Sequence, residues 1–94
     1  HNWEVEVEVE APRLDGRGLV VDFALLKERL RGVLEELDHT FLNELPPFRE
    51  LNPTSEHLAR YIFERLRAEL PIGGLRRVTV WESPGSCATY LEDR

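Results

Sequence analysis

The chain has no methionine, one cysteine, no long apolar run and fewer basic than acidic residues. Each shortage excludes something. A membrane helix needs about 20 consecutive apolar residues, and no stretch approaches that, so no membrane partner is expected. No signal peptide is visible either. The lone Cys87 cannot close an internal disulfide and suits a reducing compartment. Twelve Lys and Arg against 18 Asp and Glu leave a net charge of -6, which argues against nucleic acid, because phosphate neutralisation needs clustered cations. An anionic small molecule would have to meet a local positive patch or a metal. With no repeat and no low-complexity segment, 94 residues make one small domain spanning residues 1–94. The 41% hydrophobic and 32% charged shares fit a folded, well-solvated, cytoplasmic protein. The missing methionine is the odd feature: the chain opens on His1 and is already in strand pattern by Trp3. A preceding segment, with a strand that pairs with the first one, is expected.

Trp3 to Glu10 alternates strictly, with Trp3, Val5, Val7 and Val9 on one face and glutamates on the other. That is the pattern of an antiparallel strand with one packed and one wet face. Asp22 is a suitable N-cap for a helix. Phe23, Leu26, Leu30, Val33, Leu34 and Leu37 recur behind it at helical spacing, with an end expected near Asp38 to Thr40. A second helix is expected to start at Asn52-Pro53, a favoured cap followed by a favoured first residue. It carries Leu58, Tyr61, Ile62, Leu66 and Leu70 on one face and stops at Pro71 and Gly73-Gly74. Arg77 to Glu82 and Ser86 to Leu91 read as strands joined by Ser83-Pro84-Gly85. The β-α-α-β-β order predicts an α+β fold with two helices over one face of an antiparallel sheet.

Three islands carry chemistry. Asp38-His39 sits at a helix end, where a carboxylate can orient an imidazole and raise its basicity for proton transfer near neutral pH. A helix-end histidine favoured by the macrodipole explains the same dipeptide without function. Asn52-Pro53-Thr54-Ser55-Glu56 places hydroxyls and a carboxylate beside the unpaired amides of a first helical turn. Capping alone accounts for its first two residues. Glu82 closes the apolar strand Val78-Thr79-Val80-Trp81 just before a turn. A carboxylate there can accept two parallel N–H bonds of the kind an amino-pyrimidinone edge offers, or can simply be a solvated strand end. His57 reads as a surface residue, Cys87 as a buried structural thiol, and the glutamate comb of the first strand as a solvated face. One histidine is never a zinc site, since zinc takes at least three protein ligands.

In order and spacing, these segments resemble the 6-pyruvoyl-tetrahydropterin synthase family, including its 6-carboxy-tetrahydropterin synthase branch. His1-Asn2-Trp3 and the alternating strand look like the end of its His-Gly-His-Asn motif. Gly18-Leu19-Val20-Val21-Asp22-Phe23 resembles its Gly-Met-Val-Val-Asp-Phe signature, and Leu37-Asp38-His39 with Leu42-Asn43 its Leu-Asp-His-x-x-Leu-Asn segment. Asn52-Pro53-Thr54-Ser55-Glu56 matches its Asn-Pro-Thr-x-Glu segment, and Trp81-Glu82-Ser83-Pro84 with Tyr90 is similar to its Glu-Thr-Pro…Tyr strand pair.

The resemblance implies a T-fold, a four-stranded antiparallel sheet with two helices on one face, here without its first strand. It implies subunits joined as trimers or hexamers with active sites between them, a 7,8-dihydroneopterin triphosphate substrate and a catalytic zinc. Carried over by position, His1 is a zinc ligand, Asp38 and His39 form an acid–base relay, Glu82 anchors the pterin ring, and Thr54 and Glu56 contact it. The family's other zinc histidines and its catalytic cysteine precede the position of His1. The expected activity is a zinc-dependent lyase forming 6-carboxy-5,6,7,8-tetrahydropterin in queuosine and deazapurine biosynthesis. The alternatives are the 6-pyruvoyl enzyme, a folate-branch enzyme and a non-catalytic T-fold protein that binds a pterin or only assembles.

Overall fold

The computed structural model describes residues 3–10, 22–38, 54–69 and 74–91. Their order is β1 (Glu4–Val9), α1 (Phe23–Asp38), α2 (Ser55–Glu69), β2 (Leu75–Ser83) and β3 (Ser86–Leu91). The strands form an antiparallel sheet in the order β1-β2-β3, so β2 is central. β1 has a partner within this chain, while its other edge, where a preceding strand is expected, pairs with no strand among the described residues. β1 pairs with β2 along its whole length, from Glu4 opposite Trp81 to Val9 opposite Leu75. The described residues therefore hold three strands, one fewer than a complete T-fold.

The register explains the two faces of the sheet. Val5 opposite Val80, Val7 opposite Val78, and Tyr90 opposite Val78 share the inner face. Glu4, Glu6, Glu8, Arg77, Thr79, Trp81, Cys87 and Thr89 share the outer one, where Arg77 pairs with Glu8 and the Thr79 and Thr89 hydroxyls lie 2.7 Å apart. Cys87 is exposed there, so the expectation of a buried thiol is wrong. Period-two alternation decides its face, and its small polar neighbours gave no sign of which face that was.

Val78 and Val80 are fully buried beneath the helices, in one core with Leu26, Val33 and Leu37 of α1 and Leu58, Ile62, Phe63 and Leu66 of α2. Tyr90 meets Phe63 edge to face, with ring centroids 5.1 Å apart. Asp22 caps α1 as its sequence predicts, its Oδ1 accepting the Ala24 amide at 2.9 Å. Phe23, expected on the apolar stripe, is instead 64% exposed at the first helical position. α2 is described from Ser55, and Asn52-Pro53, where its start is expected, lie outside the described residues. Thr54 caps it: its carbonyl accepts the Leu58 amide at 2.9 Å and its Oγ1 the His57 amide at 3.2 Å. A threonine hydroxyl that accepts the amide three residues on is a favoured N-cap arrangement.

Gly74 leads into β2 at φ 111°, and its carbonyl accepts the Glu10 amide at 2.7 Å. A Cβ there would stand 2.5 Å from the Glu10 carbonyl oxygen. This join, next to the bulge at Arg76 where Glu8 opposes Arg77 and Val9 opposes Leu75, locks β1 to the start of β2.

Candidate functional site

The far end of β2 carries a second irregularity. Trp81 opposes Cys87 while Ser83 opposes Ser86, so Glu82 is an extra residue on β2 with no counterpart on β3. Strict alternation would put Glu82 on the helix-covered face with Val80. A bulge re-aims the side chain at its extra residue. Glu82 lines a cavity of about 330 Å³ together with Trp81 and Glu4, both on the outer face, and with Ser83 and Pro84 of the turn. The volume is at the small end of ligand cavities, about 300–1,000 Å³. Glu82 is exposed and Trp81 half-buried, which gives a carboxylate with open lone pairs beside an aromatic wall.

The expected contacts on α2 sit apart from this cavity. Thr54 is the cap and Glu56 an exposed residue in the first turn. A hydroxyl oxygen that accepts an amide can still donate its own proton. Neither residue lines the cavity at Glu82 within this chain.

α1 runs antiparallel to α2: Glu36 near the end of α1 meets Tyr61 and Arg65 in the middle of α2, while Glu69 at the end of α2 borders a surface cavity with residues from Glu28 to Glu35 of α1. Asp38 is the last residue of α1, which brings it to the same end of the helix pair as Thr54. His39 and His1 lie outside the described residues. His57, read as a surface residue, is half-buried on α2.

One polar cluster escaped the sequence reading. The Tyr61 hydroxyl donates to Glu36 Oε1 at 2.6 Å, and Arg65 Nη2 donates to Glu36 Oε2 at 2.8 Å and reaches Glu69 at 3.2 Å. The Tyr61 bond, followed by the Arg65 bond, holds the Glu36 carboxyl below its usual range against the opposing effect of burial. Burial and then the same carboxylate push the Tyr61 phenol up. A helical spacing of four between Tyr61 and Arg65 was the available signal.

Among the described residues no group of three or more His, Cys, Asp or Glu side chains is placed to hold a metal. By themselves they do not fit a zinc ion.

Comparison with known proteins decides the relationship. The profile described as 6-pyruvoyl tetrahydropterin synthase matches residues 1–93. The chain belongs to the 6-pyruvoyl tetrahydropterin synthase family. Members similar to it include a dihydroneopterin monophosphate aldolase of Pyrococcus furiosus, 41% identical over 83 residues, covering 87% of this chain and 68% of that protein. A 6-carboxy-5,6,7,8-tetrahydropterin synthase of Aquifex aeolicus is 30% identical, with 99% and 73% covered. The human 6-pyruvoyl tetrahydrobiopterin synthase is 33% identical, with 96% and 63% covered. The chain thus spans 63–73% of these relatives' lengths. The structure of the Caenorhabditis elegans 6-pyruvoyl tetrahydropterin synthase superposes with a TM-score of 0.88 at 32% identity, covering 99% of this chain and 68% of that one. The 6-pyruvoyl tetrahydropterin synthase family is a family of pterin enzymes, and the α+β arrangement here is its T-fold.

Proposed function

We propose that this protein is a zinc-dependent pterin synthase, a lyase converting 7,8-dihydroneopterin triphosphate to 6-carboxy-5,6,7,8-tetrahydropterin in queuosine and deazapurine biosynthesis. The observation that carries the reading is Glu82 at a bulge on the wall of a small cavity, beside Trp81. A pterin presents its 2-amino group and ring N3–H side by side, and a carboxylate accepts such a pair with both oxygens. The Trp81 ring gives the heterocycle an apolar surface. Glu4 and Glu82 on the cavity repel phosphate, so the triphosphate tail points away from it and the side chain is presented in one pose.

The side-chain chemistry falls to Asp38 and His39, the carboxylate orienting the imidazole, which takes and returns the proton at the side-chain carbons. Such a general acid–base pair contributes roughly 10²- to 10⁴-fold. Thr54 and Glu56 are proposed as further pterin contacts. Both belong to the same end of the helix pair as Asp38, and a site between subunits would bring them to the Glu82 cavity of a neighbour. A trimer or hexamer is therefore part of the proposal, as is a cytoplasmic location; among the described residues no helix is long and apolar enough to cross a membrane. Zinc enters through His1, whose place in the motif supports it. When bound, the metal would polarise the side-chain oxygens.

The aldolase similarity favours a second reading, carbon–carbon cleavage of dihydroneopterin monophosphate. The two are separated by incubating the zinc-loaded protein with each substrate and identifying the aldehyde. Acetaldehyde from the triphosphate establishes the carboxy-forming lyase. A phosphorylated two-carbon aldehyde from the monophosphate establishes the aldolase instead. Formation of a pyruvoyl pterin identifies the 6-pyruvoyl branch, and no turnover of either substrate rejects the enzymatic reading.

A further inference from the structure

The end of α1 is built against its own electrostatics. Its last turn contains no basic residue and carries Glu35, Glu36 and Asp38, acids at the negative pole of the helix, where a negative charge is unfavourable. Left alone, such a turn frays. The neighbouring helix supplies what α1 lacks. Each oxygen of Glu36 has its own donor on α2, the Tyr61 hydroxyl at 2.6 Å and Arg65 Nη2 at 2.8 Å. The first distance is in the range of a charge-assisted O–H bond.

The donors are themselves fixed. Tyr61 is 9% exposed within the core, and Arg65 is also held by Glu69 at 3.2 Å. On the other side of the same turn, Leu37 is buried. The turn is thus gripped by a polar contact at Glu36 and an apolar one at Leu37, and Asp38 follows directly.

We propose that Glu36, Tyr61 and Arg65 are positioning residues for proton transfer: they clamp the last turn of α1, the turn whose backbone ends at Asp38. The inference rests on the reading of Asp38 and His39 as the relay. The clamp spans the two helices and so ties the end of α1 to the middle of α2. The groups that face Glu36 from α2 are Tyr61 and Arg65, with Glu69 behind the guanidinium; Glu35 and Asp38 are the acids nearest it along α1.

The test uses Tyr61→Phe, Glu36→Gln and His39→Ala in the zinc-loaded protein, with kcat, KM, pterin affinity and amide hydrogen exchange at residues 36–38 measured for each. Tyr61→Phe removes one oxygen from a well-packed ring and keeps the fold. The expected result is a kcat lowered about 3- to 30-fold with KM and pterin affinity unchanged, since misplacement of about 1 Å costs up to roughly 10²-fold. Exchange at residues 36–38 should quicken about tenfold, and the pH profile of kcat should shift. Arg65→Lys, which keeps the charge but not the planar fork, should lose less than Arg65→Met. A lowered melting temperature with unchanged kcat and pH profile would make the cluster a strut and overturn the inference. Full turnover in His39→Ala would instead remove the relay, and the clamp's catalytic role with it. An inactive His39→Ala beside a fully active Tyr61→Phe rejects the clamp and leaves the relay standing.

Discussion

The Tyr61 hydroxyl lies 2.6 Å from Glu36 Oε1, across 25 residues of chain, and ties the last turn of α1 to α2. Tyr61 titrates above the ordinary phenol and Glu36 below the ordinary carboxylate, so the pair is matched over the whole neutral range. The two shifts act on stability in opposite directions of pH. Glu36, with its folded value depressed, contributes stability above its unfolded value that is lost as acid protonates it. Tyr61, with its folded value raised, contributes stability below its unfolded value that is lost as base ionises it.

Thermal melts of Tyr61→Phe should therefore show a loss near neutral pH of about 1 kcal/mol, the net worth of one hydrogen bond. The gap to the parent should narrow below about pH 4 and again above about pH 10. A gap of constant size from pH 3 to 11 would mean that the Tyr61–Glu36 bond is absent in solution.

His39→Ala should abolish turnover while leaving zinc content and assembly intact, because its proposed role is proton transfer rather than metal binding. Metal analysis and sedimentation beside the activity assay check all three. Full activity would remove His39 from the mechanism.

Gly74 is held at φ 111° with the Glu10 carbonyl oxygen 2.5 Å from where a Cβ would lie. Gly74→Ala should destabilise the fold by about 1–3 kcal/mol, through backbone strain and through displacement of the β1 end. Denaturant unfolding measures it directly. A neutral result would mean that β1 does not meet β2 at this point.

Phe63→Ala should cost about 3–5 kcal/mol, since the ring is 1% exposed and takes the edge-to-face contact with Tyr90. A loss below 1 kcal/mol, read by the same unfolding experiment, would show that α2 does not sit on β3 as described.

The legible parts of the fold are those where pattern and environment agree. Val5, Val7 and Val9 alternate and are half-buried, and Leu26, Val33, Leu37, Leu58, Ile62 and Leu66 keep helical spacing and are buried. Asp22 caps α1 because a short acceptor ahead of an apolar stripe has little else to do. Phe63 was not assigned to the core and Phe23 was, for one reason: an aromatic at a helix surface goes where the third element lies, and periodicity does not report where the sheet is. That β1 also pairs with β2 was not legible, because pairing across residues 9 to 75 is non-local and no local signal encodes it. At the site, Glu82 was legible as a strand-end carboxylate, but the bulge that turns it toward Trp81 depends on a one-residue mismatch with β3. The Glu36–Tyr61–Arg65 cluster was hidden for the same reason as the β1 pairing, since its members meet only after the helices pack.

The measurement that tests the central claim most directly is the dissociation constant of a pterin, read by calorimetry with neopterin, for the parent protein and for Glu82→Ala. Two hydrogen bonds to an ionised carboxylate are at stake, and losing them should weaken binding about 10- to 100-fold, roughly 1.5–3 kcal/mol, with the melting temperature unchanged because Glu82 is exposed. An unchanged dissociation constant would contradict the account, because the cavity at the end of β2 would then not be where the pterin ring is held.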